Sequence, residues 1–254
     1  MSGTNTSQNS NRGSRGQGGG FRKGPGGQKR PGGFRRQGGF RRREEPKTDM
    51  LALWVPKTDL GRKVANGQVT NIDEVLLRGE KILEPEIIDK LLPELHDELL
   101  KLGTTQRTTD SGRKMKFRAV VVVGDGHGHV GIGSGKSDEA RPAIENAVKT
   151  AKRNIILVPF GCGSWECGCG TKHSLPVEVT GKCGSVKVTL RPAPRGVGIV
   201  GNSIVKKVLA KAGLNDIWST AKGHTSTKYN TAIAVYDALK RLSNMQSHRD
   251  WSEE

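Results

Sequence analysis

Apolar positions along this chain switch repeatedly between two spacings, and each switch predicts an element. Asn71 and Glu74 form a capping-box pattern around Ile72, Val75 and Leu76, which predicts a short helix. From Pro85, residues Ile87, Ile88, Leu91 and Leu92 fall at helical spacing. Pro93 interrupts the run, and Leu95, Leu99, Leu100 and Leu102 resume it, so the pattern predicts one kinked helix or two short ones. Residues 113–118 then alternate basic and apolar side chains ahead of 119–123, a continuous apolar run suited to a central strand. Residues 124–129 carry turn chemistry, and 130–135 can return as a second strand. Ser137, Asp138 and Glu139 supply oxygen and negative charge where a helix starts, with Ala140, Ile144, Ala147, Val148 and Ala151 on its inner face.

A second set of elements follows a Cys-rich connector. Residues 175–180 and 185–190 alternate as a hairpin around 181–184, and 191–196 (RPAPRG) reads as a stiff loop. Ile204, Val205, Val208, Leu209 and Ala212 mark an amphipathic helix ended by Gly213. A short strand over 217–221 and a last helix through Ile233, Tyr236, Leu239 and Leu242 complete the set. The expected class is α+β, in two small units.

Charge changes the picture more than composition does. The 254 residues hold 42 Lys+Arg against 25 Asp+Glu, a formal net charge of +17. Residues 1–47 hold twelve Lys/Arg, two acids and thirteen of the 35 glycines, so about +10 sits there. This low-complexity segment is expected to be disordered when free. Its Arg residues can meet phosphates and its interleaved Phe34 and Phe40 can stack on bases; a solubilising tail is the alternative. No apolar run approaches the roughly 18–20 residues of a membrane span, and no secretory signal opens the chain, so a cytoplasmic protein is expected. A polyanionic partner remains, with nucleic acid the leading class.

Two enzyme-like motifs fail on inspection. Gly126, Gly128 and Gly131 satisfy G-x-G-x-x-G, but a strand rather than a helix follows. Gly135-Lys136-Ser137 imitates a phosphate-binding loop whose first glycine would be Val130. The reading preferred here is a hairpin whose glycines let an RNA backbone approach, with His127, His129 and Lys136 available to phosphate; ordinary hairpin glycines are the alternative. No nucleophile–base pair or carboxylate pair stands out, so no catalytic residue is assigned.

The basic positions recur at loops and element ends. Arg113, Lys114, Lys116 and Arg118 lead into the first strong strand, and Lys149, Lys152 and Arg153 gather at one helix end. Arg195, Lys206 and Lys207 surround the Pro-rich loop and the next helix, while Lys222, His224 and Lys228 precede the last helix. This distribution suits a phosphate-bearing partner touched at many edges. With aromatics at 4%, a folded RNA read by shape and backbone is favoured over stacked single strands. Cys162, Cys167, Cys169 and His173 form C-x4-C-x-C-x3-H, four ligands able to surround one structural zinc, with Cys183 able to replace His173. Reduced, packed cysteines are the alternative.

Three stretches resemble the family of the fifth universal protein of the small ribosomal subunit, in its archaeal and eukaryotic branch, with the connector archaeal-like. They are residues 117–136 (FRAVVVVGDGHGHVGIGSGK), 179–200 (VTGKCGSVKVTLRPAPRGVGIV) and 54–63 (WVPKTDLGRK). The resemblance implies a double-stranded-RNA-binding-like domain over 94–160 and a C-terminal left-handed β-α-β domain over 174–243. Around them lie the tail 1–47, an extension 48–93, the Cys/His connector 161–173 and a tail 244–254. It further implies rRNA binding near the decoding centre and the point where mRNA enters the subunit. In the family, the loop matching residues 110–116 reaches rRNA, and the segment matching Arg195, Gly196 and Gly198 adjoins the fourth universal small-subunit protein and influences decoding accuracy. A free RNA-binding regulator or RNA chaperone is the competing function; neither reading needs a membrane or a small-molecule substrate.

Overall fold

The computed structural model describes residues 54–245. The basic segment 1–47, the start of the extension and residues 246–254 lie outside the described residues, and with them the expected Arg/Phe contacts. Among the described residues, no helix is long and apolar enough to cross a membrane.

The apolar run 119–123 forms the middle of β2 (Gly112–Gly124), which pairs antiparallel with β1 (His96–Thr109) and β3 (His129–Ser137). β4 (Ile155–Leu157) completes a sheet ordered β1-β2-β3-β4. Ala119, Val121 and Val123 pack with helix α4 (Ala140–Arg153), while Val120 and Val122 face the C-terminal elements. A strand hidden on both faces needs apolar side chains in both directions, hence an unbroken run instead of alternation.

Three short helices share the α4 face: α1 (Asp59–Ala65), α2 (Ile72–Leu77) and α3 (Pro85–Leu91). Val64, Ile72, Val75, Ile87 and Ile88 join one core with Ala143, Ala147 and Ala151. Glu84 fastens this extension by accepting from Trp54 Nε1 at 2.9 Å, Lys57 N at 2.9 Å and Thr58 N at 2.6 Å. Burial alone would raise its carboxyl, but the donors from Thr58, Trp54 and Lys57 hold it below the usual value. Lys90 Nζ closes the end of α1 by donating to Val64 O and Ala65 O. Asn71 caps α2 without a side-chain bond, so the capping box marks the right residue but is not made.

The second sheet is ordered β5-β6-β8-β7: β5 (Val179–Cys183), β6 (Val186–Pro192), β7 (Ile199–Val200) and β8 (Ile217–Lys222). β7 and β8 run parallel, connected through α5 (Ser203–Ala212), and α6 (Lys228–Ser243) covers the sheet. Gly213 at φ 85° ends α5 in the left-handed conformation. Val205, Val208 and Leu209 of α5 share a core with Val120, Val122, Val130 and Ile132 of the first sheet. Gly126 N also donates to Lys211 O at 3.1 Å. Both α+β units are therefore present.

Two expectations change. Residues 96–102 belong to a strand and not to a helix. β1 has an irregularity at Leu99/Lys101 that leaves Leu100 out of register. Leu100 is its one buried leucine while Leu99 and Leu102 are exposed, so the leucine spacing imitates a helix without marking a buried face. The glycines of β3 also have a different partner. A Cβ on Gly131, Gly133 or Gly135 would meet backbone of Ala151, Ala147 or Ala143, so they admit α4 and not an RNA backbone. Gly181 does the same on β5, where a Cβ would meet backbone of Ala234 and Ala238 in α6. Opposing the glycine rows are alanines, and two helices lie on two sheets by one device.

Gly133→Ala and Gly181→Ala are each expected to destabilise the protein by about 1–3 kcal/mol through overpacking. Gly103→Ala, where a Cβ would find only ordinary contact at 3.6 Å, is expected to stay within about 0.5 kcal/mol. Urea denaturation of the three variants measures the contrast.

Candidate functional site

Past the core, β1 and β2 continue as a two-stranded ribbon from the pair Thr105↔Lys116 to Thr109↔Gly112. No core supports its tip. Cross-strand backbone pairing holds it, with Thr105 Oγ1 donating to Lys116 O at 3.2 Å and Thr109 Oγ1 to Gly112 O at 2.8 Å. Arg107, Arg113, Lys114 and Lys116 stand exposed along it. Arg107 lies directly opposite Lys114, and one strand further in, Arg118 lies opposite Lys136.

The second sheet repeats this arrangement. Lys182 of β5 pairs with Lys187 of β6, which pairs with Lys222 of β8, so three exposed lysines form one row across three strands. Like charges directly opposite one another are unfavourable in a free sheet. Lys182, Lys187 and Arg107 were not singled out from sequence. The signal is register, since residues up to forty positions apart become neighbours only once the strands pair.

The other expected contacts divide by what they already touch. His127, Lys149, Arg153, Arg195, Lys206, His224 and Lys228 are exposed. Lys152 is committed elsewhere: its Nζ lies 2.5 and 2.7 Å from the Asp89 carboxylate, joining α4 to α3. Lys207 pairs with Glu98 at 2.9 Å, and Lys116 with Asp138 at 3.4 Å. The Arg118 guanidinium stacks 3.9 Å from the centre of the Tyr229 ring.

His129 is a correction. Its side chain is buried, with Nδ1 2.5 Å from Asp125 Oδ2 and Nε2 2.8 Å from Asp73 Oδ1. Both ring nitrogens are taken by carboxylates, so it pins the 124–129 turn to α2 and offers nothing to a phosphate. Burial alone would lower its pKa, but bonds to Asp125 and Asp73 outweigh it and raise the value. For Asp125, burial opposes ionisation, yet His129 and the His127 amide hold the carboxyl below its usual value.

The connector draws its four candidate ligands together. The ligand atoms of Cys162, Cys167, Cys169 and His173 all lie within 4.8 Å of one another. Cys183, on β5, is outside the group, so it does not replace His173. His173 turns Nε2 towards Cys167 Sγ at 3.7 Å and Nδ1 towards Asp216 Oδ2 at 2.8 Å. Asp216 Oδ1 accepts from Gly196 N at 3.1 Å and Gly198 N at 2.8 Å. Burial would raise the Asp216 carboxyl, but the Gly198 amide, His173 and the Gly196 amide lower it. Sequence inspection missed Asp216, a single acid 43 positions from the histidine it orients.

Comparison with known proteins agrees with this layout. Residues 95–159 match the family model of the ribosomal protein S5 N-terminal domain, and residues 181–253 match that of the S5 C-terminal domain. The chain belongs to the ribosomal protein S5 family. Small ribosomal subunit protein uS5 of Methanocaldococcus jannaschii is 50% identical over 200 residues, covering 78% of this chain and 92% of that protein. Its counterpart in Methanospirillum hungatei is 54% identical over 198 residues, covering 76% and 97%. That of Thermoplasma acidophilum is 51% identical over 193 residues, covering 76% and 87%. S5 membership makes this a structural, non-enzymatic protein. The Cys/His connector falls between the two matched S5 domains.

The His129 bridge gives the S5 N-terminal domain a defined pH window. A raised histidine pKa contributes stability that is full below the ordinary value of 6.5 and lost as pH rises through the raised value. The lowered Asp125 contributes stability above the ordinary 3.8 that is lost as pH falls through the depressed value. The stability difference between the protein and His129→Gln is therefore expected to be greatest between these limits and to shrink on both sides. Urea denaturation across pH 3–9 measures it; a flat difference contradicts the bridge.

Proposed function

We propose that this chain is a structural component of the small ribosomal subunit that binds rRNA near the decoding centre and the point where mRNA enters, and supports translational accuracy. The observation that carries the reading is the cross-strand row Lys182–Lys187–Lys222, with its counterpart Arg107–Lys114 on the ribbon. A sheet that sets cations against one another at no internal advantage is suited to a partner that supplies the missing negative charge. An RNA backbone does so at regular intervals, and the rigid strands keep the cations in register with it.

The roles divide by place. The ribbon residues Arg113, Lys114 and Lys116, with Arg118 and Lys136 behind them, contact phosphate on one side of the molecule. Lys149 and Arg153 at the end of α4, Lys206 on α5, and Lys222, His224 and Lys228 before α6 contact it elsewhere; His127 offers a further contact from its turn. The loop with Arg195, Gly196 and Gly198 meets the fourth universal small-subunit protein. Support for this last role is that the loop is exposed while its amides are fixed by Asp216. Lys152 and His129 act inside the protein, while Lys207, like Lys116, reaches phosphate from a surface ion pair, here with Glu98.

Replacing Lys182, Lys187 and Lys222 together by Ala is expected to weaken binding to small-subunit rRNA. It should also flatten log K against log[salt] by roughly 2–3, at about 0.7–0.9 per phosphate contact. Filter binding over a salt series measures both, and an unchanged slope takes the row out of the interface. The full chain is expected to sediment with the small subunit at moderate salt. Recovery mainly in free fractions would favour the regulator reading.

A further inference from the structure

We propose that Cys162, Cys167, Cys169 and His173 form a closed structural zinc site that, through Asp216, holds the loop 195–198 in place. Three thiolates and one imidazole are a donor set that selects tetrahedral zinc and leave no open position for chemistry.

The spacing of the donors fits the metal. Zn–S bonds of about 2.3 Å and Zn–N bonds of about 2.0–2.1 Å give tetrahedral edges of about 3.8 Å between sulfurs and about 3.5 Å between sulfur and nitrogen. Cys162 Sγ and Cys169 Sγ lie 3.6 Å apart, and Cys167 Sγ and His173 Nε2 lie 3.7 Å apart. All four ligand atoms lie within 4.8 Å of one another, and these two distances are close to those edges. They are far longer than a disulfide bond of about 2.05 Å, and all four cysteines are free thiols.

The surroundings are those of a ligated histidine. A metal-bound imidazole almost always gives its second N–H to a carboxylate or carbonyl, which fixes the tautomer and aims the other nitrogen. Here His173 Nδ1 donates to Asp216 Oδ2, leaving the Nε2 lone pair facing the thiols. The pair is buried on both sides, with 9% and 7% of the side chains exposed. Around the sulfurs, Thr171 Oγ1 donates to Cys169 Sγ at 3.2 Å. The connector is anchored at both ends by the Gly161↔Ser174 bridge and by Gly163 N donating to Leu175 O at 3.0 Å.

What the metal would govern follows from the other oxygen of Asp216. Oδ1 takes the amides of Gly196 and Gly198, whose φ values of 93° and 73° suit a loop that turns its N–H groups onto one acceptor. Zinc, His173, Asp216 and the loop amides form one continuous chain of contacts. Loss of the metal frees the imidazole, and the carboxylate that gathers the loop loses its fixed partner.

The test uses the full-length chain, purified without chelator. Elemental analysis is expected to give one zinc per chain, and cobalt substitution to give the intense thiolate charge-transfer and d–d bands of a tetrahedral site. Cys183→Ser is expected to leave both unchanged, whereas Cys167→Ser and His173→Ala reduce bound zinc severalfold or more. Asp216→Asn is expected to lower zinc affinity by roughly 10–100-fold. Tryptic cleavage after Arg195, followed by mass spectrometry, reads the loop: it is expected to accelerate at least tenfold on zinc removal and in Asp216→Asn. Sub-stoichiometric zinc with no tetrahedral cobalt spectrum overturns the site. Stoichiometric zinc with an Arg195 cleavage rate indifferent to its removal overturns the link to the loop.

Discussion

The described residues are arranged around one sheet that must hide both of its faces. Residues 119–123 of β2 are apolar on each side, so neither α4 with the N-terminal helices nor α5 with the C-terminal sheet can be removed without exposing a row of valines. That shared strand makes the two ribosomal S5 domains one mechanical body. It explains why their contact includes a main-chain bond from Gly126 to Lys211 and an approach at Gly124 too close for any side chain.

Close approach then becomes the recurring solution. α4 lies on β3 and α6 on β5 through glycines that face alanines, so in both layers helix backbone sits against strand backbone. Wide, adaptable side-chain packing would tolerate small sliding movements; backbone seated against backbone tolerates few. Basic groups attached to such layers keep their separations, which is the property a protein needs to hold several RNA segments at once.

How much was legible in the sequence depended on how local the cause was. β2, the turn, β3 and α4 could be read because their apolar spacing and turn residues lie within a few residues of one another, although Ser137 ends β3 and Glu139 caps α4 without a side-chain bond. The β5–β6 hairpin and α5 with its glycine stop were equally visible. β1 was misread because one out-of-register leucine changes the spacing from that of a strand to that of a helix. The β3 glycines were assigned an RNA partner because their real partner, the α4 backbone, leaves no mark at the glycines themselves. At the candidate sites, the four Cys and His ligands could be grouped by their closeness along the chain. Asp216 and Asp73 could not, and His129 next to His127 looked like a second phosphate contact when it is a buried bridge. The lysine row needed strand register before it existed at all.

The β1–β2 ribbon has a consequence that depends on its pairing and not on its charge. A loop carrying the same arginines and lysines would have to surrender backbone freedom on docking, at roughly 1–2 kcal/mol per residue fixed. In the ribbon that freedom is already spent on the cross-strand ladder, so docking would order little more than side chains. On the proposed reading, an unsupported hairpin would meet its RNA as a pre-stiffened probe.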